Sequence, residues 1–323
     1  MKHLISICLA GILCACATTN SPHSSAPVAP AGTVATAASG VSNTSLLAFP
    51  ASTDDLRIVQ DLADRLPRAS TLVVFDIDDT LLTTEKLADD SHAFYGGDRW
   101  YVWQGELSKE DKNKVGNCLV ELITYNYRVL PMFATQPNAP DIVGQIPTDK
   151  LLLTSRGPAN WESTIRELQG AGYSTISPSV SAETFEFMYT EGDRTDPVMY
   201  RDGIMMTSGF NKGHMLERIL DLSDKKYANV ILVDDTQRHI DRMRAALEDS
   251  DITFYGTRYT GIKNDGVNPD GTSMLPIVTA EQMASHERGF GAMKALLAQM
   301  SPSTFKRFED GCPKAKVMMS PSL

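Results

Sequence analysis

Three stretches of this chain are unbroken runs of β-prone apolar residues: Leu72-Val73-Val74-Phe75 after Thr71, Leu151-Leu152-Leu153, and Val230-Ile231-Leu232-Val233 after Asn229. A strand with one wet face alternates apolar and polar residues, whereas an unbroken run belongs to a strand covered on both faces. Helical spacing separates the runs. Leu56, Val59, Leu62, Ala63 and Leu66 mark a helix over 54–66 with Thr53 as N-cap. Pro158 to Gly170 carries Pro near a helix start and Gly at its end. Asn211–Leu222 and Thr236–Leu247 read as further helices, Ile252–Gly256 as a fourth strand, and Thr279–Met300 as a long closing helix. No internal repeat is visible. Strand-helix alternation with strands of this kind predicts an α/β fold, a doubly wound parallel sheet.

In such a fold the working crevice lies outside the carboxyl ends of the strands. The first run is followed by Asp76-Ile77-Asp78-Asp79-Thr80, the second by Thr154-Ser155-Arg156, and the third by Asp234-Asp235. Acidic groups at two strand ends supply hard oxygen ligands of the kind Mg²⁺ takes, and Mg²⁺ suits a phosphate-bearing substrate.

The stretch Val74-Phe75-Asp76-Ile77-Asp78-Asp79-Thr80-Leu81-Leu82 resembles the first motif of the haloacid dehalogenase-like (HAD) superfamily, a strand ending in DxDxT. Leu151-Leu152-Leu153-Thr154 is similar to its second motif, Lys212-Gly213 to its third, and Val230-Ile231-Leu232-Val233-Asp234-Asp235 to its fourth, in the same order. The resemblance covers 56–259. Within the superfamily, Tyr200 to Gly209, Gly97-Asp98-Arg99-Trp100 and Asp234-Asp235-Thr236 resemble an exported bacterial family known as domain of unknown function 2608. Class III acid phosphatases are more distantly similar.

The resemblance implies the chemistry. Asp76 would attack phosphorus and form an aspartyl-phosphate. Asp78 would protonate the leaving oxygen and then take a proton from the hydrolytic water. Asp76, the main-chain carbonyl of Asp78, and Asp234 would hold Mg²⁺, with Asp235 as an outer or alternate ligand. Thr154 would hydrogen-bond a transferring oxygen, and Lys212 would neutralise its charge. A lone Asp after a strand is often a turn former, but that leaves Thr154, Lys212 and Asp234 unexplained. Asp79 and Thr80 read as loop-bonding residues. Arg156 either sits near the phosphate or pairs with a surface carboxylate. His214 and His239 read as structural and stay outside the site.

About 70 residues separate the first two motifs, more than a simple connection needs. A small, mainly helical insert over about 86–146 accounts for them, with Val115, Leu119, Leu122 and Ile123 on one helical face. Its aromatic stretch, 94–103, either packs the insert onto the core or lets Trp100 or Trp103 stack on substrate; core packing is the commoner use of such rings. A second insert, 178–209, reads as a β-hairpin with turn signals at Asp196-Pro197 and Asp202-Gly203.

The N-terminus reads as an address. Lys2 followed by the apolar Leu4–Leu13 stretch is a secretory signal. Leu13-Cys14-Ala15-Cys16 resembles a bacterial lipobox, which implies a signal peptide over 1–15 and lipid on Cys16. The alternative is a plain signal cleaved near Ala15 or Ala17, leaving a secreted or periplasmic protein. With Ala17 rather than Asp after the cysteine, the resemblance implies an outer-membrane lipoprotein facing the periplasm. Residues 18–52 hold no Asp, Glu, Lys or Arg and few large apolar groups. They form a tether within the segment 16–52, with a reach of about 30–35 Å. The catalytic domain then spans 53–300 and a tail 301–323. Cys118 and Cys312 remain after processing, either as a disulfide or as two thiols.

The formal net charge is -10, so phosphate backbones repel the chain and nucleic acid is not expected as a partner. The membrane is reached through the lipid anchor only. The expected partner is a small phosphorylated substrate, and the expected activity is Mg²⁺-dependent hydrolysis of a phosphate monoester. The alternatives are a phosphotransferase on the same fold, or a non-catalytic envelope binding module; intact motifs argue against the latter.

Overall fold

A computed structural model describes residues 48–93, 127–128, 130–174, 179–262 and scattered positions from 280 to 306. The chain divides into two units, 1–46 and 47–323, and every described residue lies in the second. Cys8, Cys14, Cys16, Trp100, Trp103, Cys118 and Cys312 lie outside the described residues.

The elements follow the sequence pattern closely. A short strand β1 (Ser52–Thr53) leads into helix α1 (Arg57–Ala63). The helix starts later than expected, because Thr53 is taken into β1. Leu56 stands at the N-cap, and Asp55 just before it accepts from the Arg57 amide through Oδ1 at 3.0 Å. Strand β2 (Thr71–Phe75) follows, then a two-stranded pair of β3 (Leu82–Thr83) with β4 (Phe133–Ala134). Helix α2 (Ala139–Gln145) and strand β5 (Asp149–Thr154) come next. A 3₁₀ turn (Pro158–Asn160) runs into helix α3 (Trp161–Gly170). Strands β6 (Phe185–Glu191), β7 (Arg194–Arg201) and β8 (Ile204–Met206) precede helix α4 (Lys212–Leu222). Strand β9 (Asn229–Asp234), helix α5 (Gln237–Ala246) and strand β10 (Thr253–Tyr259) complete the core. Described positions between Ala280 and Gln299 are helical, where a closing helix was expected.

Eight strands form one sheet in the order β1-β10-β9-β2-β5-β8-β7-β6. The pairs from β1 through β8 are parallel, and β7 and β6 add an antiparallel edge. The fold is therefore α/β, with a mostly parallel sheet and helices on its faces. Because side chains alternate across a strand, each unbroken apolar run feeds two cores. Val73, Phe75, Leu152, Ile231 and Val233 pack with residues of α1, α2 and α3 on one face. Leu72, Val74, Leu151, Leu153, Val230 and Leu232 pack with Met215, Leu216, Ile219, Ile240 and Met243 of α4 and α5 on the other.

The second expected insert is part of this sheet. Gly192 (φ 59°) turns β6 into β7, and Asp202 (φ 48°) with Gly203 (φ 80°) turns β7 into β8. Asp196-Pro197, read as a turn, lies inside β7 opposite Tyr189 and Met188. The Pro197 carbonyl accepts from Ser208 Oγ at 2.6 Å, past the end of β8, where no strand needs an amide from proline. Of the first expected insert, 94–126 lies outside the described residues. Its end belongs to the main core: Met132, Ala139, Ile142, Val143 and Ile146 are buried there.

Candidate active site

The chain passes from β2 to β5 on one side, then crosses back through α4 to β9 on the other side of β2. The order thus reverses at β2, and the crevice beyond its carboxyl end is where a doubly wound sheet binds ligands. Phe75 pairs with Val233, so the next residue of each strand, Asp76 and Asp234, emerge side by side. The Asp76 amide bonds the Val233 carbonyl at 2.9 Å, which fixes that register.

Beyond Phe75 the chain makes a tight turn. Leu81 and Leu82 amides both reach the Ile77 carbonyl, at 2.9 and 2.8 Å. Asp79 takes a left-handed conformation (φ 55°), which Asp tolerates better than most side chains. The turn brings Thr80 back over Asp76: its hydroxyl donates to Asp76 Oδ2 at 3.3 Å and accepts from the Asp235 amide at 3.1 Å. Thr80 therefore ties the ends of β2 and β9 together, and Asp79 accepts from Thr83 Oγ1 at 2.9 Å, the loop-bonding parts expected of both.

Asp76, Asp234 and Asp235 are buried, and each offers a carboxylate oxygen within 4.8 Å of the others. Lys212, the first residue of α4, reaches into this group. Its Nζ lies 2.5 Å from Asp76 Oδ1 and 2.7 Å from Asp234 Oδ2. Asn211 sets the helix start by accepting from the Gly213 amide at 2.9 Å. Burial favours the neutral form of every group here, yet the charges oppose it unequally. Burial raises Asp76 well above the usual carboxylate range; Lys212 pulls it down, while Asp234 and Asp78 push it further up. Asp234 is held well below that range, since His239 and Lys212 outweigh its burial. Lys212 is raised above its ordinary value, because Asp234 and Asp76 outweigh the cost of burying its charge.

This donor set fits a small divalent cation. All three ligands are hard carboxylate oxygens. Lys212 brings one positive charge to three carboxylates, and a dication would balance the remainder.

Asp78 does not join that cluster. Its carboxylate is gripped by Arg156, with Nη2 on Oδ1 at 2.7 Å and Nε on Oδ2 at 2.9 Å. Arg156 is itself buried, so its pairing with acid lies inside the protein and not on the surface. Its Nη1 bonds Glu167 Oε2 at 2.6 Å and Thr164 Oγ1 at 3.0 Å, and Tyr127 lies under the guanidinium at 4.0 Å. Glu167 is raised by burial, against the pull of Arg156. Thr154 ends β5 and is buried, its hydroxyl accepting from the Arg156 amide at 3.1 Å. Thr207, after β8, donates its amide to the Thr154 carbonyl at 2.9 Å, and its buried hydroxyl has no hydrogen-bond partner among the described residues.

Asp76, Lys212, Asp234 and Asp235 thus come together, Thr154 stands on the neighbouring strand, and Asp78 is set apart by Arg156. Sequence reasoning left His239 outside. Its Nδ1 lies 3.0 Å from Asp234 Oδ1 and 3.2 Å from Oδ2. Its place five residues past Asp234, at the start of the next helix, was the available signal. His214 bonds Glu191 on an exposed surface, away from the acidic group. Glu167 had no sequence signal, being an acidic residue in an ordinary amphipathic helix.

Fold and site together define an α/β protein with a buried acidic and lysine cluster at the switch point of a mostly parallel sheet. The family model described as "Protein of unknown function (DUF2608)" matches residues 55–302, and the chain belongs to that family. No curated protein matches it.

Proposed function

We propose that this chain is a Mg²⁺-dependent phosphate-monoester hydrolase of the HAD type, anchored in the bacterial envelope by lipid on Cys16. The observation that carries the reading is the meeting of Asp76, Lys212, Asp234 and Asp235 at the carboxyl ends of β2 and β9. Groups from three separate stretches of the chain converge, and those stretches are the ones that resemble the first, third and fourth HAD motifs.

Asp76 is the nucleophile. Its Oδ attacks phosphorus, the phosphorus–oxygen bond to the leaving group breaks, and an aspartyl-phosphate forms. Lys212 keeps an anionic carboxylate and an anionic phosphoryl group from repelling each other. Asp78 would handle the proton with one of its oxygens released from Arg156 to carry it, giving it to the leaving oxygen and taking one back from the water that cleaves the acyl-phosphate. Arg156 holds Asp78 by both oxygens, which limits the directions in which that carboxylate can serve. The hydroxyl of Thr154 would orient a phosphoryl oxygen. Asp76, Asp234, Asp235 and the Asp78 carbonyl would hold Mg²⁺, which supplies positive charge to the phosphoryl oxygens.

The test is turnover of a phosphate-ester panel by the purified full-length chain, with Mg²⁺ and with EDTA. Hydrolysis is expected with Mg²⁺ and not with EDTA. Asp76→Asn keeps the shape and removes the anionic nucleophile, so it should fall to background on every ester. Near wild-type turnover by that variant would rule out attack by Asp76 and with it the aspartyl-phosphate.

A further inference from the structure

Of the residues of α5, only His239, Ile240 and Met243 are buried, and His239 is the polar one. Its neighbours on that seam pack against the sheet, while its ring sits over the end of β9. A carboxylate only accepts, so the His239 Nδ1 that faces Asp234 carries the hydrogen. The two contacts, 3.0 Å to Oδ1 and 3.2 Å to Oδ2, make this a donor shared between both oxygens.

Asp234 has two further donors. The Thr236 amide reaches Oδ1 at 2.9 Å, and Lys212 Nζ reaches Oδ2 at 2.7 Å. Thr236 gives through its backbone, and Lys212 is a single charge on a long stem that also serves Asp76. Neither spans the carboxylate. A carboxylate turns about its bond to Cβ, and a donor that meets both oxygens resists that turn. His239 and Thr236 meet Oδ1, and His239 and Lys212 meet Oδ2, so a cation would take the direction that Lys212 Nζ now holds, and the plane of the carboxylate decides where that direction points.

We infer that His239 is a positioning residue for the cation site: it fixes the plane of the Asp234 carboxylate so that Asp76, Asp234 and Asp235 meet one divalent cation. The inference rests on the metal-dependent function proposed for this site. Groups that orient a ligating carboxylate typically change metal affinity by about 10–100-fold when removed.

The experiment is a Mg²⁺ titration of the full-length chain by calorimetry, with no substrate present. His239→Leu fills the space without a donor, and its Mg²⁺ dissociation constant should rise by about 10–100-fold. His239→Asn places an amide nitrogen the same number of bonds from Cα as Nδ1, and should bind within a few-fold of wild type. His239→Gln sets the amide one bond farther out and should bind as poorly as the leucine variant, which keeps the test available if leucine prevents folding. Thermal unfolding in EDTA checks that each variant is folded. Unchanged affinity in both folded leucine and glutamine variants overturns the role of His239. Wild-type protein that binds no Mg²⁺ overturns the metal assignment itself, and a wild-type protein that binds Mg²⁺ yet hydrolyses no ester would fault only the catalytic reading.

Discussion

Asp76 and Asp78 are two residues apart and live in opposite settings. Asp76 shares the Lys212 ammonium with Asp234, while Asp78 sits bidentate on a buried arginine. The spacing DxD is visible in sequence, but Arg156 lies 78 residues away, and only the pairing of β2 with β5 brings it near. That arginine is buried because two carboxylates, Asp78 and Glu167, and the Thr164 hydroxyl share its donors. Loss of a proton donor is felt most where the leaving group is a strong base. Asp78→Asn should therefore lose about 10²–10⁴-fold more kcat/KM on an alkyl phosphate than on an activated aryl phosphate. Equal losses on the two esters, measured on the same preparation, would remove the proton-transfer role.

At the scale of elements, the placing of Lys212 depends on how closely α4 and α5 approach. A Cβ added at Gly213 would stand 2.7 Å from the Ala246 Cβ and 2.7 Å from the Arg242 carbonyl oxygen. Backbone on the far side cannot swing away as a side-chain tip can. Gly→Ala in a helix ordinarily gains up to about 1 kcal/mol. Here the overpacking, typically about 1–3 kcal/mol, should win, so Gly213→Ala should lower the urea midpoint and weaken turnover through Lys212. A midpoint equal to or above wild type would mean the helices separate freely. The strands β2, β5 and β9 and the helices α3, α4 and α5 were legible in sequence, since burial on both faces and amphipathic spacing leave strong local signatures. The antiparallel edge was half legible: Asp202-Gly203 is a turn, but Asp196-Pro197 is tolerated in a strand only because its neighbour on one side stops short. The end of the first insert was not legible, because Ile142 and Val143 read alike whether they pack on a cap or on the core. His239 was missed for a related reason. A histidine at the start of a helix has no pattern of its own, and its role depends on which carboxylate the preceding strand delivers.

For the whole molecule, the proposed anchor would decide where the chain works. The lipobox resemblance of Leu13-Cys14-Ala15-Cys16 lies outside the described residues, but the end of the uncharged stretch after it does not: Phe49 packs against Tyr255 and Ser52 pairs with Arg258 in β1, so these residues belong to the folded body rather than to the tether expected over 16–52. Among the described residues, no helix is long and apolar enough to cross a membrane. Cys16→Ser should leave the protein unprocessed or move it from the membrane to the soluble fraction, with loss of the acyl mass. Wild-type protein that is already soluble and carries no acyl chain would sink the anchor. The sheet order carries a consequence for synthesis. Strand β2 is the first of the central strands to leave the ribosome, yet one of its two neighbours, β9, pairs Thr71 with Asn229. Pairing over such a separation is slow to close, and a nascent or truncated chain that stops short of Asn229 keeps Asp76 without Asp234, Asp235 or the strand that carries them. On the proposed reading an unfinished copy is therefore inert, and its chemistry waits until the chain has been made past Asp235.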